Sequence, residues 1–184
     1  MAGELAPHTQ GGLGVAVDAL LSCLHQHGMA VTALAVRPPR AHGPWGHPYR
    51  VEELPPGRRV YGNPVSPKAR GLIRQQVETH DVVHAHSHLF FPSLLAFAAA
   101  RRAGRPFVVT SHGLSSQTAP AWLSALWLRT AGAFLFRRAD AVVCLKSGDH
   151  ERLLRLGVPA TRLHLIPNMV DTNVFRPGAG GRTT

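Results

Sequence analysis

The chain has 184 residues, a length suited to one α/β domain and short for two. Hydrophobic residues make up 45% and charged residues 16%, which supplies a core and excludes a disordered tail, collagen, a coiled coil or a disulfide scaffold. The formal charge of +10 is carried by arginine, since Lys68 and Lys146 are the only lysines among 20 basic residues; it favours polyanions (nucleic acid, phosphorylated ligands or acidic membrane) without selecting among them.

The opening Met1-Ala2-Gly3-Glu4 lacks a basic segment followed by an apolar run, so no secretory signal is expected. Val17, Leu20, Leu21 and Leu24 recur at helical spacing and predict a helix over about residues 14–27, stopped by Gly28. Residues 29–36 read as a buried strand closed by Pro38 and Pro39. Residues 37–67, rich in Pro, Gly and Arg, read mostly as loop with a short strand at 58–61, either a mobile surface segment or the far edge of a sheet. Thereafter the alternation is regular. A helix at 69–78 leads to a strand at 81–86, and a helix at 92–103, stopped by Gly104, leads to a strand at 106–110. A long helix within 119–136 precedes the strand 141–145. Ser147 then opens a helix with Asp149 and Glu151 in its first turn, Gly157 ends it, and a last strand occupies 162–166. Cys23, in the first helix, and Cys144, in an apolar strand, read as buried free thiols suited to a reducing cytoplasm.

Apolar strands separated by helices mean a parallel sheet covered on both faces, a doubly wound, Rossmann-like α/β fold. Ligands of such folds sit at the C-terminal ends of the strands. The helix near Gly14 ought to follow a strand, yet residues 1–10 hold no apolar run, so the first strand is expected to be missing or supplied by another segment. Residues 119–136 are apolar, but Pro120, Ser124, Arg129, Thr130 and Gly132 interrupt them, and a spanning helix needs roughly 20 mainly apolar residues. A helix buried against the sheet is the expectation. The alternative is a face resting on lipid, with Trp122 and Trp127 at the interface and Arg137 and Arg138 at its end.

Gly11-Gly12-Leu13-Gly14 opens the first helix, where backbone N–H groups and partial positive charge suit either a phosphate cradle or a tight turn. It is neither the dinucleotide fingerprint nor a Walker loop, because Ala16 and Val17 stand where a third glycine would fall and no lysine follows. His84, His86 and His88 alternate. They read as a polar cluster at a strand end, as a metal site, or as incidental histidines; no carboxylate or thiolate adjoins them. His112, in Thr110-Ser111-His112-Gly113, projects from the next strand end, where it could hydrogen-bond a sugar hydroxyl or a phosphate. No Gly-x-Ser-x-Gly elbow supports a hydrolase, and no recognised motif organises the arginines for nucleic acid, so no nucleic-acid partner is expected.

These motifs stand in order with Glu4-Leu5-Ala6-Pro7, Asp81-Val82-Val83-His84-Ala85-His86, Ala139-Asp140-Ala141-Val142-Val143, Leu156-Gly157-Val158-Pro159 and Ile166-Pro167-Asn168-Met169-Val170-Asp171. Together they resemble the N-terminal domain of the family-4 retaining glycosyltransferases of GT-B fold, relatives of the glycogen and starch synthases. The resemblance covers residues 4–177. It implies transfer of a sugar from a nucleotide-sugar donor to a sugar or lipid-linked acceptor with retained configuration, and no metal or further cofactor. It implies that Gly12, Leu13 and Gly14 approach the donor diphosphate and that His112, as the catalytic residue, lines the transferred sugar. His86, Ser87, His88, Ser111, Gly113 and Asn168 would border the acceptor and sugar cleft. Electrostatic stabilisation of the departing phosphate would be the main catalytic device. Met169 departs from the family's usual glycine.

The family's second Rossmann-like domain, with most nucleotide contacts and its paired glutamates, does not follow Phe175-Arg176-Pro177. Residues 1–177 are therefore expected to form an acceptor-side half, inactive alone, with 178–184 a frayed linker toward the absent domain. The expected setting is the cytoplasm, or the cytoplasmic face of a membrane through peripheral contact. The alternative is a non-catalytic remnant domain that binds glycans or a partner.

Overall fold

The computed structural model describes Leu5, residues 11–37 and residues 43–169. Expectations for residues 1–4, 6–10 and 170–184, among them the missing first strand and the terminal linker, lie outside the described residues.

Helix α1 (Gly12–Gln26) leads to β1 (Thr32–Ala35), which pairs in parallel with β2 (Arg50–Glu53). Alternation along a strand sends neighbouring side chains to opposite faces, and β1 uses both. Ala33 and Ala35 pack with Val17 of α1 and with Tyr49, while Leu34 joins the main core. Strand β2 corrects the reading of 37–67 as mostly loop. Arg50-Val51-Glu52-Glu53 has no apolar run, so its partner and not its composition makes it a strand.

Strands β3 (Arg58–Val60) and β4 (Asn63–Val65) form an antiparallel hairpin turned by Tyr61 and Gly62, both at positive φ (48° and 74°). Two positive φ values in a two-residue loop match the right-handed twist of the flanking strands. Asn63 fastens the hairpin: its side chain donates to the Leu89 carbonyl and accepts the Phe91 N–H at 3.1 Å.

The main sheet is parallel throughout, in the order β5 (Val83–His86), β6 (Phe107–Ser111), β7 (Ala141–Cys144) and β8 (Leu163–Leu165). Its register aligns Val83, Ala85, Phe107, Val109, Val142 and Cys144 on one face, all in the main core. Helix α2 (Ala69–Glu78) buries Ala69, Ile73 and Val77, a stripe at i, i+4 and i+8, in the same core. Helix α3 (Phe91–Ala103) starts with Pro92 in its first turn and stops at Gly104, left-handed at φ 64°. Its Phe97 meets Phe107 edge-on at 5.2 Å. Removing a fully buried phenyl ring such as that of Phe107 costs about 3–5 kcal/mol.

The apolar segment after residue 119 is a helix broken by one wide turn: α4 (Ala121–Trp127), a π turn (Leu128–Gly132) and α5 (Ala133–Arg138). Gly132 permits the turn to close on the sheet, since a Cβ there would stand 3.0 Å from His88 Cδ2. Leu128, Leu135 and Phe136 are buried, as the packing expectation required. The two tryptophans of the lipid reading part company. Trp122 is 69% exposed, whereas Trp127 is half-buried and donates its indole N–H to the His88 carbonyl at 3.2 Å. No helix among the described residues is long and apolar enough to cross a membrane. Helix α6 (Ser147–Arg155) then leads to β8. Cys144 is buried and free; Cys23 is only half-buried on α1.

Candidate functional site

The C-terminal ends of β5, β6 and β7 deliver Ser87, His112 and Leu145 to one cavity of about 940 Å³. Gly12, Leu13 and Gly14, the first turn of α1, form part of its wall. The first N–H groups of a helix have no partner within it, and the helix dipole makes that end partly positive. The hairpin from Arg59 to Val65 forms another side, facing Ser115–Ala119 and the Leu123, Ser124 and Trp127 side of α4. Leu89, Phe90 and Phe91 contribute apolar surface. Among the described residues, no carboxylate lines it. A second cavity of about 420 Å³ lies at the other end of β1, around Met29, Pro48 and Arg50, and holds none of the strand-end residues.

Two side chains in the wall sit in backbone conformations that favour glycine: Tyr61 at φ 48° and Ser87 at φ 74°. Ser87 is locked in place. Its N–H donates to the Thr110 carbonyl at 2.8 Å, its carbonyl accepts from Ser93 Oγ at 2.8 Å, and its Oγ accepts the Leu89 N–H at 3.2 Å. Thr118 donates its hydroxyl to the Tyr61 carbonyl and so ties the hairpin to the loop before α4. Non-glycine strain of this kind concentrates at functional sites, where surrounding contacts enforce it.

Of the residues picked out by sequence, Gly12, Leu13, Gly14, Ser87, His112, Gly113 and Asn168 line the cavity. His86, His88 and Ser111 do not. Strand β5 stops at His86, and the positive φ of Ser87 breaks the alternation, so His88 turns away from the other two imidazoles. It is fully buried against Phe136, ring centroids 4.8 Å apart, with neither nitrogen bonded. Ser111 lies on the core face of β6, its hydroxyl buried and unpartnered. His86 supports the wall from behind: its Nδ1 lies 3.1 Å from His112 Nε2, and its ring lies 4.3 Å from that of His84, tilted by 32°. His84 Nε2 in turn meets Thr110 Oγ1 at 2.8 Å.

Burial holds every one of these imidazoles neutral at pH 7. It pushes His84 down to about 3, and His88 and His112 down to about 4. His86 is driven well below the usual value by burial and by its histidine neighbours. Among the described residues, no group of three or more His, Cys, Asp or Glu converges as a metal site would. Sequence reasoning missed the hairpin wall and Trp127. The Tyr61-Gly62-Asn63 turn was the available signal, but only distant contacts reveal what it faces.

Strand ends, a glycine-opened helix and a neutral imidazole thus share one cavity, at the position where Rossmann-like folds bind their ligands. The chain belongs to Glycosyltransferase Family 4, whose model matches residues 10–174. It is 30% identical over 106 residues to the alpha-maltose-1-phosphate synthase of Mycolicibacterium smegmatis, covering 52% of this chain and 26% of that protein. It is 28% identical over 137 residues to a subunit of the phosphatidylinositol N-acetylglucosaminyltransferase of Arabidopsis thaliana, covering 74% and 28%. The chain thus spans little more than a quarter of the length of these relatives. Its fold is similar to that of Anabaena HepE in complex with UDP and glucose, with a TM-score of 0.66 at 17% identity over 94% of this chain and 45% of that one. HepE in complex with UDP-glucose gives the same TM-score at 18% identity, over 94% and 44%.

Proposed function

We propose that this chain is the acceptor-side half of a retaining glycosyltransferase that moves a sugar from a nucleotide-sugar to an acceptor. The observation that carries the reading is the opening of the α1 N-terminus and of His112 onto one cavity at the strand ends. Gly12, Leu13 and Gly14 would offer backbone N–H groups to the donor diphosphate as negative charge develops on the departing phosphate. His112 would hydrogen-bond the transferred sugar, while Ser87, Gly113 and Asn168 border the acceptor space.

A lipid-linked acceptor is the finer reading. Leu89, Phe90, Phe91, Leu123 and Trp127 give the cavity apolar walls. Outside it, Trp122, Leu126 and Arg129 are exposed on one side of α4 and the turn that follows. No Asp or Glu occurs between Asp81 and Asp140, so this surface suits the anionic, cytoplasmic face of a membrane.

The test is a transfer assay across nucleotide-sugars and acceptors, with this chain alone and with a complementing C-terminal nucleotide-binding domain. Turnover in the complemented sample alone is the expected result. Folded protein without turnover in either sample overturns the proposal, and saturable glycan binding without nucleotide dependence would replace it with the binding-domain reading.

A further inference from the structure

The contact between His86 and His112 carries more than packing. A hydrogen bond between two neutral imidazoles needs one proton between the facing nitrogens, here His86 Nδ1 and His112 Nε2 at 3.1 Å. Two arrangements satisfy that. If His112 Nε2 carried the proton, His86 would accept at Nδ1 and its own proton would sit on Nε2. That atom is buried and has no partner, so a buried N–H would be stranded. If His86 Nδ1 carries the proton, only an unused lone pair is left at the buried Nε2. Orphaned buried N–H groups are rarer in folded proteins than under-used acceptors, so the second arrangement is the one the site favours. Both rings are held neutral first by their burial and, for His86, further by the neighbouring imidazoles of His84 and His112, which would repel a second positive charge.

We propose that His86 is a positioning residue that fixes the tautomer of His112: the His86 Nδ1–H donates to His112 Nε2, so His112 carries its proton on Nδ1. That second nitrogen has no hydrogen-bond partner in the described fold and is not sealed from solvent, and its ring lines the cavity. His112 therefore presents the ligand with a neutral N–H donor and not a base. The matching ligand group is an oxygen lone pair, on a sugar hydroxyl or a phosphate. The assignment of that ligand rests on the glycosyltransferase reading; the tautomer itself does not.

The experiment is long-range proton–nitrogen NMR on the full chain with nitrogen-labelled histidine, with His86→Leu and His86→Asn alongside. In the parent protein, His112 should show a protonated-type nitrogen shift at Nδ1 and an unprotonated one at Nε2. His86→Leu should return His112 toward the Nε2–H form that free imidazole prefers. His86→Asn, whose amide N–H can reach the same nitrogen, should restore the parent pattern, which a purely structural role for His86 would not predict. A parent His112 protonated on Nε2 overturns the proposal, and so does a pattern unmoved in a folded His86→Leu protein. If that variant fails to fold, the parent spectrum and His86→Asn still decide the matter. Titration with UDP-glucose then separates the two readings: an Nδ1–H resonance that is present but never shifts sinks the ligand assignment while leaving the tautomer established.

Discussion

Asp140 holds Phe107 from both sides: its carboxylate accepts the Phe107 N–H at 2.8 Å, and its own N–H donates to the Phe107 carbonyl at 2.9 Å. The clamp sets where β6 begins and so where it ends, at the residue before His112. The Arg101 guanidinium, 3.7 Å from Asp140, adds little because both groups are half-exposed. Asp140→Ala leaves the Phe107 N–H unpaired and should cost about 1.5–3 kcal/mol in urea unfolding. Asp140→Asn, which keeps an acceptor oxygen, should recover more than half of that loss.

Acid should destabilise the fold through its histidines. Burial lowers the folded-state values of His84, His88 and His112 to between about 3 and 4. The unfolded chain, titrating near the ordinary value, takes up protons that the fold refuses. Stability is then complete above about pH 6.5 and falls as pH drops toward about 4, by up to ~1.4 kcal/mol per unit for each such group. His88→Leu isolates one term. It removes two unbonded ring nitrogens from an apolar niche and should stabilise by about 1 kcal/mol at pH 7. The gain should widen at pH 5; a gain independent of pH would show that His88 does not titrate as inferred.

Gly12→Asp should pull helix stability and ligand binding in opposite directions. A Cβ at this position meets no atom within 4 Å, so the substitution is sterically free. A carboxylate in the first turn of α1 should stabilise the helix by about 0.3–1 kcal/mol through its dipole. It would also stand where a diphosphate would lie. Thermal unfolding should rise slightly, while affinity for the nucleotide-sugar donor proposed above, measured with the complementing domain present, falls by roughly tenfold or more, a loss of ~1.4 kcal/mol. Unchanged affinity would leave Gly11–Gly14 as a tight turn.

The lipid reading makes its own demand. Trp122→Glu combined with Leu126→Glu changes two exposed side chains, 69% and 52% accessible, and leaves the core untouched. Co-sedimentation with vesicles rich in anionic lipid should fall several-fold in that variant, with unfolding unchanged within ~0.5 kcal/mol. Equal sedimentation of parent and variant would remove the membrane from the proposal.

The sequence revealed what local periodicity records. The runs around Val83, Val109 and Val142 mark buried parallel strands because both their faces are covered, and Gly104 marks the end of a helix by its left-handed backbone. It did not reveal β2, a strand only because β1 lies beside it. Nor could the alternation of His84, His86 and His88 show that one backbone dihedral, at Ser87, sends the third ring into the core. His86 and His112 could each be placed at a strand end, but their contact depends on the register of β5 against β6, which no local pattern encodes.

Tyr61 and Ser87 set a limit on how far this fold could be hardened. Each holds a left-handed conformation costing on the order of 1–3 kcal/mol, which glycine would relieve. Selection for heat resistance alone would drift toward glycine at both positions. It would strip a phenol and a hydroxyl from the cavity wall on the way, so thermal robustness and the shape of the cleft are competing traits in this chain.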